Sequence, residues 1–529
     1  MNTRNAYALR ARTSSHGYRS AGGASYDLDA PAAVLPTLPE TKVSPQAATA
    51  RLLHPTCPTL PERVCRHPLA DRMVNARLAH CEESVKGRFE AIVPALRAVS
   101  ALQHGPDFPV RAQALAQAQL GHSLPAGILD DAWVAGLDLK ALYAHCVFAA
   151  LKAAAAQFAE DLKNQVESVQ DTRNFFLDCG FHVVDISPCA DGRLMGLMRY
   201  ILRLPLSSFL HRKAYAGALF DVETDVRQWV ATELRRFREG VPSTADAGTR
   251  YLKIAVYHTS SSNPGHEGCA AHGNNEHKAK EAALERLSQF RQAIENAFCC
   301  GASTDILLIG VDTDTDAIKV HVPDSEGNLS AYRYVDNAKL YQDSLGLSAD
   351  QARLAVYEAI REASRTAGWG QGRGEPHDGM RRLIASLLIN NISQIEYVGE
   401  MYGGRYPDIG HAERYISAGD GFEEVQMRNI SYYVHLHTLE EGTQDTDVGI
   451  KIFTRLNVRH GLPVPVAIHY RYDARVPGSR ARTIAKAQRV RDAILTRYGE
   501  LYAKGLLVCH LSVQDLPIGS PVENVEAGS

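Results

Sequence analysis

The chain is 529 residues long, which predicts roughly three or four domains, and its 45% hydrophobic residues suffice for buried cores. A formal net charge of -3 provides no domain-wide basic field, so no nucleic-acid partner is expected. No run of about 18 uncharged apolar residues occurs (the nearest stretch, Ala141 to Ala156, carries His145 and Lys152), and the arginine-bearing N-terminus lacks an apolar core, so neither a membrane partner nor a secretory signal is expected. A cytosolic, reduced protein follows, in which the ten cysteines need not form disulfides.

Residues 1–53 are rich in Ala, Ser, Pro, Thr and Arg without a sustained period, the composition of a disordered arm. From 54 to 165 the pattern is helical: Ala79 to Leu102, Val110 to Leu120 and Leu137 to Phe158 are rich in Ala and Leu, with Pro and Gly between them. From 166 the chain alternates: a strand over 181–187, a helix from Gly192, a strand over 251–258, a helix over 278–298 and a strand over 305–311. That order predicts an α/β sheet with parallel pairs and crossover helices.

The C-terminal part repeats this plan. The apolar stripe Leu284, Leu287, Phe290, Ile294, Phe298 recurs as Ile484, Ala487, Val490, Ile494, Tyr498, and Ala255-Val-Tyr-His258 recurs as Val466-Ala-Ile-His469, an offset of 211. Asp191-Gly192, Met198-Arg199 and Ile201 reappear 229 residues on as Asp420-Gly421, Met427-Arg428 and Ile430. The sequence therefore reads as an arm (1–53), a helical domain (54–165), a catalytic α/β domain (166–410) and a degenerate duplicate of it (411–529).

The chemistry concentrates in Cys189-Ala-Asp191-Gly-Arg193, a strand-to-helix turn carrying a thiol, a carboxylate and a guanidinium. A thiolate is a zinc ligand, a carboxylate two residues on can accept a hydrogen bond from a metal's water, and an arginine beside it keeps that carboxylate ionised. The strand over 251–258 delivers His258, and Cys269 follows in the polar loop 259–275. Two cysteines and one histidine leave a tetrahedral position open, the pattern of a catalytic rather than a structural zinc. In the duplicate, Cys189 becomes Ala418, Arg193 becomes Phe422 and Cys269 has no counterpart, so one zinc per chain is expected. His182 reads as a core residue, Cys299-Cys300 as helix-end packing, and Asp312-Thr-Asp-Thr-Asp316, which lacks a calcium loop's central Gly and terminal Glu, as a hairpin turn.

The Cys-x-Asp-x-Arg turn resembles that of β-class carbonic anhydrases, although those enzymes place the second cysteine three residues after the histidine, and here ten intervene. The wider wording of residues 178–193 (Asp-Cys-Gly-Phe-His-Val-Val-Asp-Ile-Ser-Pro-Cys-Ala-Asp-Gly-Arg) and 268–273 (Gly-Cys-Ala-Ala-His-Gly) is similar to the divergent carboxysomal carbonic anhydrases, from about Pro55 to the C-terminus. The resemblance implies a β-carbonic-anhydrase-like catalytic domain beside a duplicate without zinc. It also implies interconversion of carbon dioxide and bicarbonate inside a carboxysome, where the carbon dioxide feeds Rubisco. Asp191 and Arg193 would be the catalytic dyad, and in β-class enzymes the aspartate can instead swing onto the metal when the arginine pairing breaks. A proton must also leave or arrive, for which His272 and His411 are the candidates. A homodimer or larger homo-oligomer is expected, with the basic arm docking on carboxysome cargo or shell, Rubisco first among them. The rival readings are a zinc scaffold without turnover and a zinc hydrolase of deaminase type, whose His-x-Glu motif beside a Cys-x-x-Cys is missing from the sequence.

Overall fold

The computed structural model describes the chain from residue 67 onward, apart from 164–174, 205–209, 239, 241–249, 298–302, 366–373, 408–410, 423–424, 426, 437, 518 and 526–529. The expected arm and the Cys299-Cys300 pair lie outside the described residues.

The first layer is helical. Helices Arg72–Glu90, Ile92–Ala101, Phe108–Leu120 and Leu139–Lys163 share one apolar cluster that includes Phe89, Val99, Phe108, Leu142, Val147 and Leu151. Asp71 caps the first of them by accepting the Val74 amide, and Gly121, in the left-handed region, closes the third. The stretch Leu139–Glu160 is long and apolar enough to cross a membrane, but here Leu142, Cys146, Val147 and Leu151 pack into this core.

Two mixed sheets follow. The first contains β1 (Val183–Pro188), β2 (Leu210–Arg212), β3 (Arg250–Thr259), β4 (Ser303–Asp312), β5 (Ile318–His321) and β6 (Tyr334–Asp336) in the order β2-β1-β3-β4-β5-β6. Its first four strands are parallel and the last two antiparallel additions. The second contains β7 (Tyr415–Gly419), β8 (Ser431–His435), β9 (Val464–Tyr472), β10 (Leu507–Asp515) and β11 (Val522–Val525) in the order β8-β7-β9-β10-β11. Again four strands are parallel and the last antiparallel. The second sheet thus repeats the first through five strands, and β6 has no counterpart in it among the described residues. The register repeats too: Ser187 pairs with Ala255 and Ile416 with Val466, at the offsets of 229 and 211 read from the sequence.

The helix Glu276–Ala297 covers β3 and β4 through Ala279, Ala283, Leu287, Phe290 and Ile294, while Ser479–Arg497 covers β9 and β10 through Ala487, Val490 and Ile494. The middles of the expected stripes are therefore the buried faces of equivalent crossover helices, while Leu284, Ile484 and Tyr498 are half-buried and Phe298 lies outside the described residues. β3 is buried on both faces rather than alternating, as a central parallel strand must be. Even Lys253 is buried there. Its ammonium donates to Ser187 Oγ (2.8 Å) and to Asp225, and lies 3.1 Å from Asp185, so the charge is neutralised where it enters the core.

One element departs from expectation. Instead of an α-helix from Gly192, a 3₁₀ turn (Gly192–Leu194) and a π turn (Leu197–Ile201) follow β1. Asp191 accepts the Arg193 amide at the start of the first turn, and the wider spacing of the second appears in bonds from the Ile201 amide to Gly196 and from Leu202 to Leu197. The first geometry keeps Arg193 folded back on its own aspartate, which a regular helix would not do, and π turns of this kind cluster at functional sites.

Candidate metal centre

β1 and β3 are neighbours whose chains leave in opposite directions, β1 towards β2 and β3 towards β4. Their C-terminal ends form the topological switch point where open α/β sheets hold ligands. Cys189 stands just past the end of β1, with its amide bonded to Val256 O of β3 (3.1 Å), and His258 stands near the end of β3. Cys269 arrives from the following loop, where Gly273 and Asn274 take left-handed φ and the Asn274 amide returns to Cys269 O (2.9 Å).

The three side chains meet. Their donor atoms lie within 4.8 Å of one another, Cys189 Sγ and Cys269 Sγ are 3.9 Å apart, and all three residues are buried. A tetrahedral zinc with Zn–S of ~2.3 Å would separate two thiolates by about 3.8 Å. Both ring nitrogens of His258 are buried without a hydrogen-bond partner among the described residues. A buried imidazole left unpartnered is costly unless something else binds it, so the donor set fits a metal ion. The Cys189 thiol is pushed well above its usual range by its hydrogen bond with Cys269 and by burial, while Cys269 is lowered by that same bond. A divalent cation bound there would displace the thiol protons.

Around the ligands, Gly217 donates its amide to Cys189 Sγ (3.3 Å). Gly217 has φ +68°, and a Cβ there would lie 2.7 Å from His272 Nε2, so no other residue fits without displacing the loop. Asp191 and Arg193 form a bidentate pair: Nε donates to Oδ1 (2.9 Å) and Nη2 to Oδ2 (2.8 Å). Arg193 Nη1 reaches Glu267 O (2.8 Å) and Thr313 Oγ1 (3.2 Å). Burial pushes the Asp191 carboxyl up, but Arg193 and His258 outweigh it and hold the group well below the usual carboxylate range. Asp191 Oδ2 lies 3.6 Å from His258 Nε2, so the carboxylate borders the ligand cluster while remaining bound to its arginine.

The two histidines singled out from sequence part company. His272 Nε2 is engaged with Gly217 O (3.0 Å) and holds the loop that carries the donor to Cys189. His411 lies near the dyad at the protein surface, its Nδ1 3.0 Å from Glu413 Oε1. Burial lowers its pKa, but the hydrogen bond and charge of Glu413, with Asp191 behind them, raise it to about 9.

Glu267, Thr313, Gly217 and Glu413 carried no sequence signal of their own. The Asp312–Asp316 segment is the hairpin between β4 and β5, with Asp312 and Asp314 satisfied by Ser260, Ser261 and Ser262. In the second half, Phe422 stacks on His469 at 4.0 Å, and His469 Nδ1 lies 3.0 Å from Ser512 Oγ. An aromatic ring thus fills the side of the histidine that an arginine turn borders in the first half.

Comparison with known proteins points the same way along the whole described chain. Family models match as "Carboxysome Shell Carbonic Anhydrase, N-terminal" over 67–159, "catalytic domain" over 171–411 and "C-terminal" over 412–529. A protein named carboxysome shell carbonic anhydrase from Halothiobacillus neapolitanus is 57% identical over 494 residues, 93% of this chain and 96% of the relative. Proteins of the same name from Parasynechococcus marenigrum (49% identical, 88% of this chain and 80% of the relative) and Hydrogenovibrio crunogenus (43%, 87% and 86%) are also similar.

Proposed function

The chain belongs to the carboxysome shell carbonic anhydrase family and is a carbonic anhydrase of the carboxysome; from that premise we propose that Cys189, His258 and Cys269 hold one catalytic zinc ion per chain. The observation that carries this reading is the buried, mutually close donor set, in which both ring nitrogens of the imidazole lack a hydrogen-bond partner among the described residues. Zinc bound there supplies Lewis-acid activation, lowering the pKa of water from ~15.7 towards ~7.

The protein's own groups do the rest. Asp191 is kept ionised by Arg193, and the lone pairs of Oδ2 that Arg193 leaves free accept the hydrogen bond of the reacting water, fixing the direction from which it meets carbon dioxide. His411, half open to solvent, carries the proton; His272 is occupied with Gly217. In a scaffold without turnover Asp191 would serve as the fourth ligand and Arg193 would be idle. The bidentate pairing observed favours catalysis.

Measured by stopped-flow, carbon dioxide hydration should be lost on chelation and restored by zinc, with about one zinc per chain and none after Cys189→Ala, His258→Ala or Cys269→Ala. Two equivalents bound with similar affinity would contradict the reading of the second half as a dead copy.

We further propose the boundaries 54, 166 and 411 for the folded units, a homodimer or larger homo-oligomer, and supply of carbon dioxide to Rubisco. The arm, with Arg4, Arg10, Arg12 and Arg19 among small polar residues, would dock on carboxysome cargo or shell, Rubisco first among them, with an affinity that falls as salt rises. Deleting 1–53 should leave hydration in solution intact and lower encapsulation. Truncated enzyme found in purified carboxysomes at the full-length level would refute the docking role.

A further inference from the structure

Glu413, just before β7, is buried to the point that its side chain shows 0% exposure, whereas the His411 side chain it holds is 38% exposed. Its Oε1 lies 3.0 Å from His411 Nδ1. The same carboxylate lies against the catalytic turn: a Cβ at Gly192 would sit 2.5 Å from both Cγ and Oε1 of Glu413, so glycine between Asp191 and Arg193 makes the room that this side chain occupies. Its second oxygen, Oε2, is buried with no hydrogen-bond partner among the described residues. A carboxylate placed so, beside an arginine it helps to keep charged, has the position of a group that orients its neighbours.

We propose that Glu413 is a positioning residue for proton transfer: it fixes the His411 ring against the Asp191-Gly192-Arg193 turn and sets its tautomer. This deepens, and rests on, the assignment of His411 as the proton carrier. By accepting a hydrogen bond from Nδ1–H, Glu413 leaves Nε2 as the nitrogen that takes up or gives off the travelling proton. Among the described residues the charged groups facing His411 are led by Glu413 and Asp191 against Arg193, so the imidazolium is favoured.

The test uses full-length zinc-loaded enzyme and stopped-flow hydration at low and high imidazole concentration. His411→Ala should lose about tenfold or more in kcat at low buffer, with kcat/KM little changed, and recover in imidazole. Glu413→Gln should show the same pattern to a smaller degree, with the midpoint of the kcat–pH profile moved to lower pH, and Glu413→Gln/His411→Ala should be no worse than His411→Ala alone. A Glu413→Gln enzyme with wild-type kcat and pH profile overturns the inference. So does one whose loss imidazole does not restore and that also loses zinc or melting temperature. Wild-type kcat in His411→Ala at low buffer overturns the proton-carrier reading instead. Should Glu413→Gln fail to fold, Glu413→Asp, which keeps the charge but withdraws the carboxylate, is expected to give the same buffer-dependent loss.

Discussion

At the turn after β1 Arg193 donates to its own aspartate, to the backbone two residues ahead of Cys269 at Glu267 O, and to Thr313, whose hydroxyl in turn donates to Thr259 O just after His258 (2.9 Å). One guanidinium therefore ties together the three segments that carry the proposed ligands, a task for a rigid planar fork that a lysine could not perform. Removing it and removing Asp191 should differ. Asp191→Asn keeps the shape but turns one acceptor into a donor, so zinc content should stay near one while hydration falls roughly a hundredfold. Arg193→Ala strands a buried carboxylate and should lower activity and destabilise the fold by about 3–5 kcal/mol, as breaking a buried ion pair does, read as a fall in melting temperature. Near wild-type turnover in both variants would return the structural-zinc reading to the front.

Between elements, the helix Leu439–Leu456 of the second half presents Asp445 to the first half, where Oδ1 accepts the amide of Ala216, one residue before the donor to Cys189. Burial raises the Asp445 carboxyl to about 6, and the Ala216 amide only partly counters it. For an acid held above its unfolded pKa of 3.8, the stabilisation is fully present below about 3.8 and is lost as pH rises through about 6. The loss is at most about 3 kcal/mol. Asp445→Asn should thus melt higher than wild type at pH 8 and equally at pH 4. An identical gap at both pH values would show that titration of this group is irrelevant. That contact could not be read beforehand, because 229 residues separate its partners. What was legible was local: the ends of β1 and β3, the two stripes and their register follow from short-range periodicity. The π turn over 197–201, Thr313, Glu267 and Glu413 were not, since each is fixed by packing between distant segments.

At the scale of the molecule, the second sheet is both a copy of the first and its partner. Gly192 O accepts the Asn429 amide (2.8 Å), Ala214 O the His435 amide (3.1 Å) and Arg212 O the Tyr433 hydroxyl (3.4 Å). Ala190, Met195 and Ala214, from the first half, are buried in the apolar cluster of the second half with Ile416, Tyr432 and Val434. The segment after β1 thus meets the segment after β7, its own repeat, as residues do across a two-fold interface between identical subunits. We infer that the copy persists as a covalent partner whose surface outlasted its metal site. Cutting the chain after Tyr406 would expose those apolar side chains, leave Gly192 O and Ala214 O unpaired, and remove His411 and Glu413 together. Such a truncation should be insoluble, or soluble without hydration activity even when loaded with zinc. The decisive preparation is the 166–406 fragment: if it is monodisperse and hydrates carbon dioxide at the full-length rate, the second half is dispensable and its interface with the first is incidental.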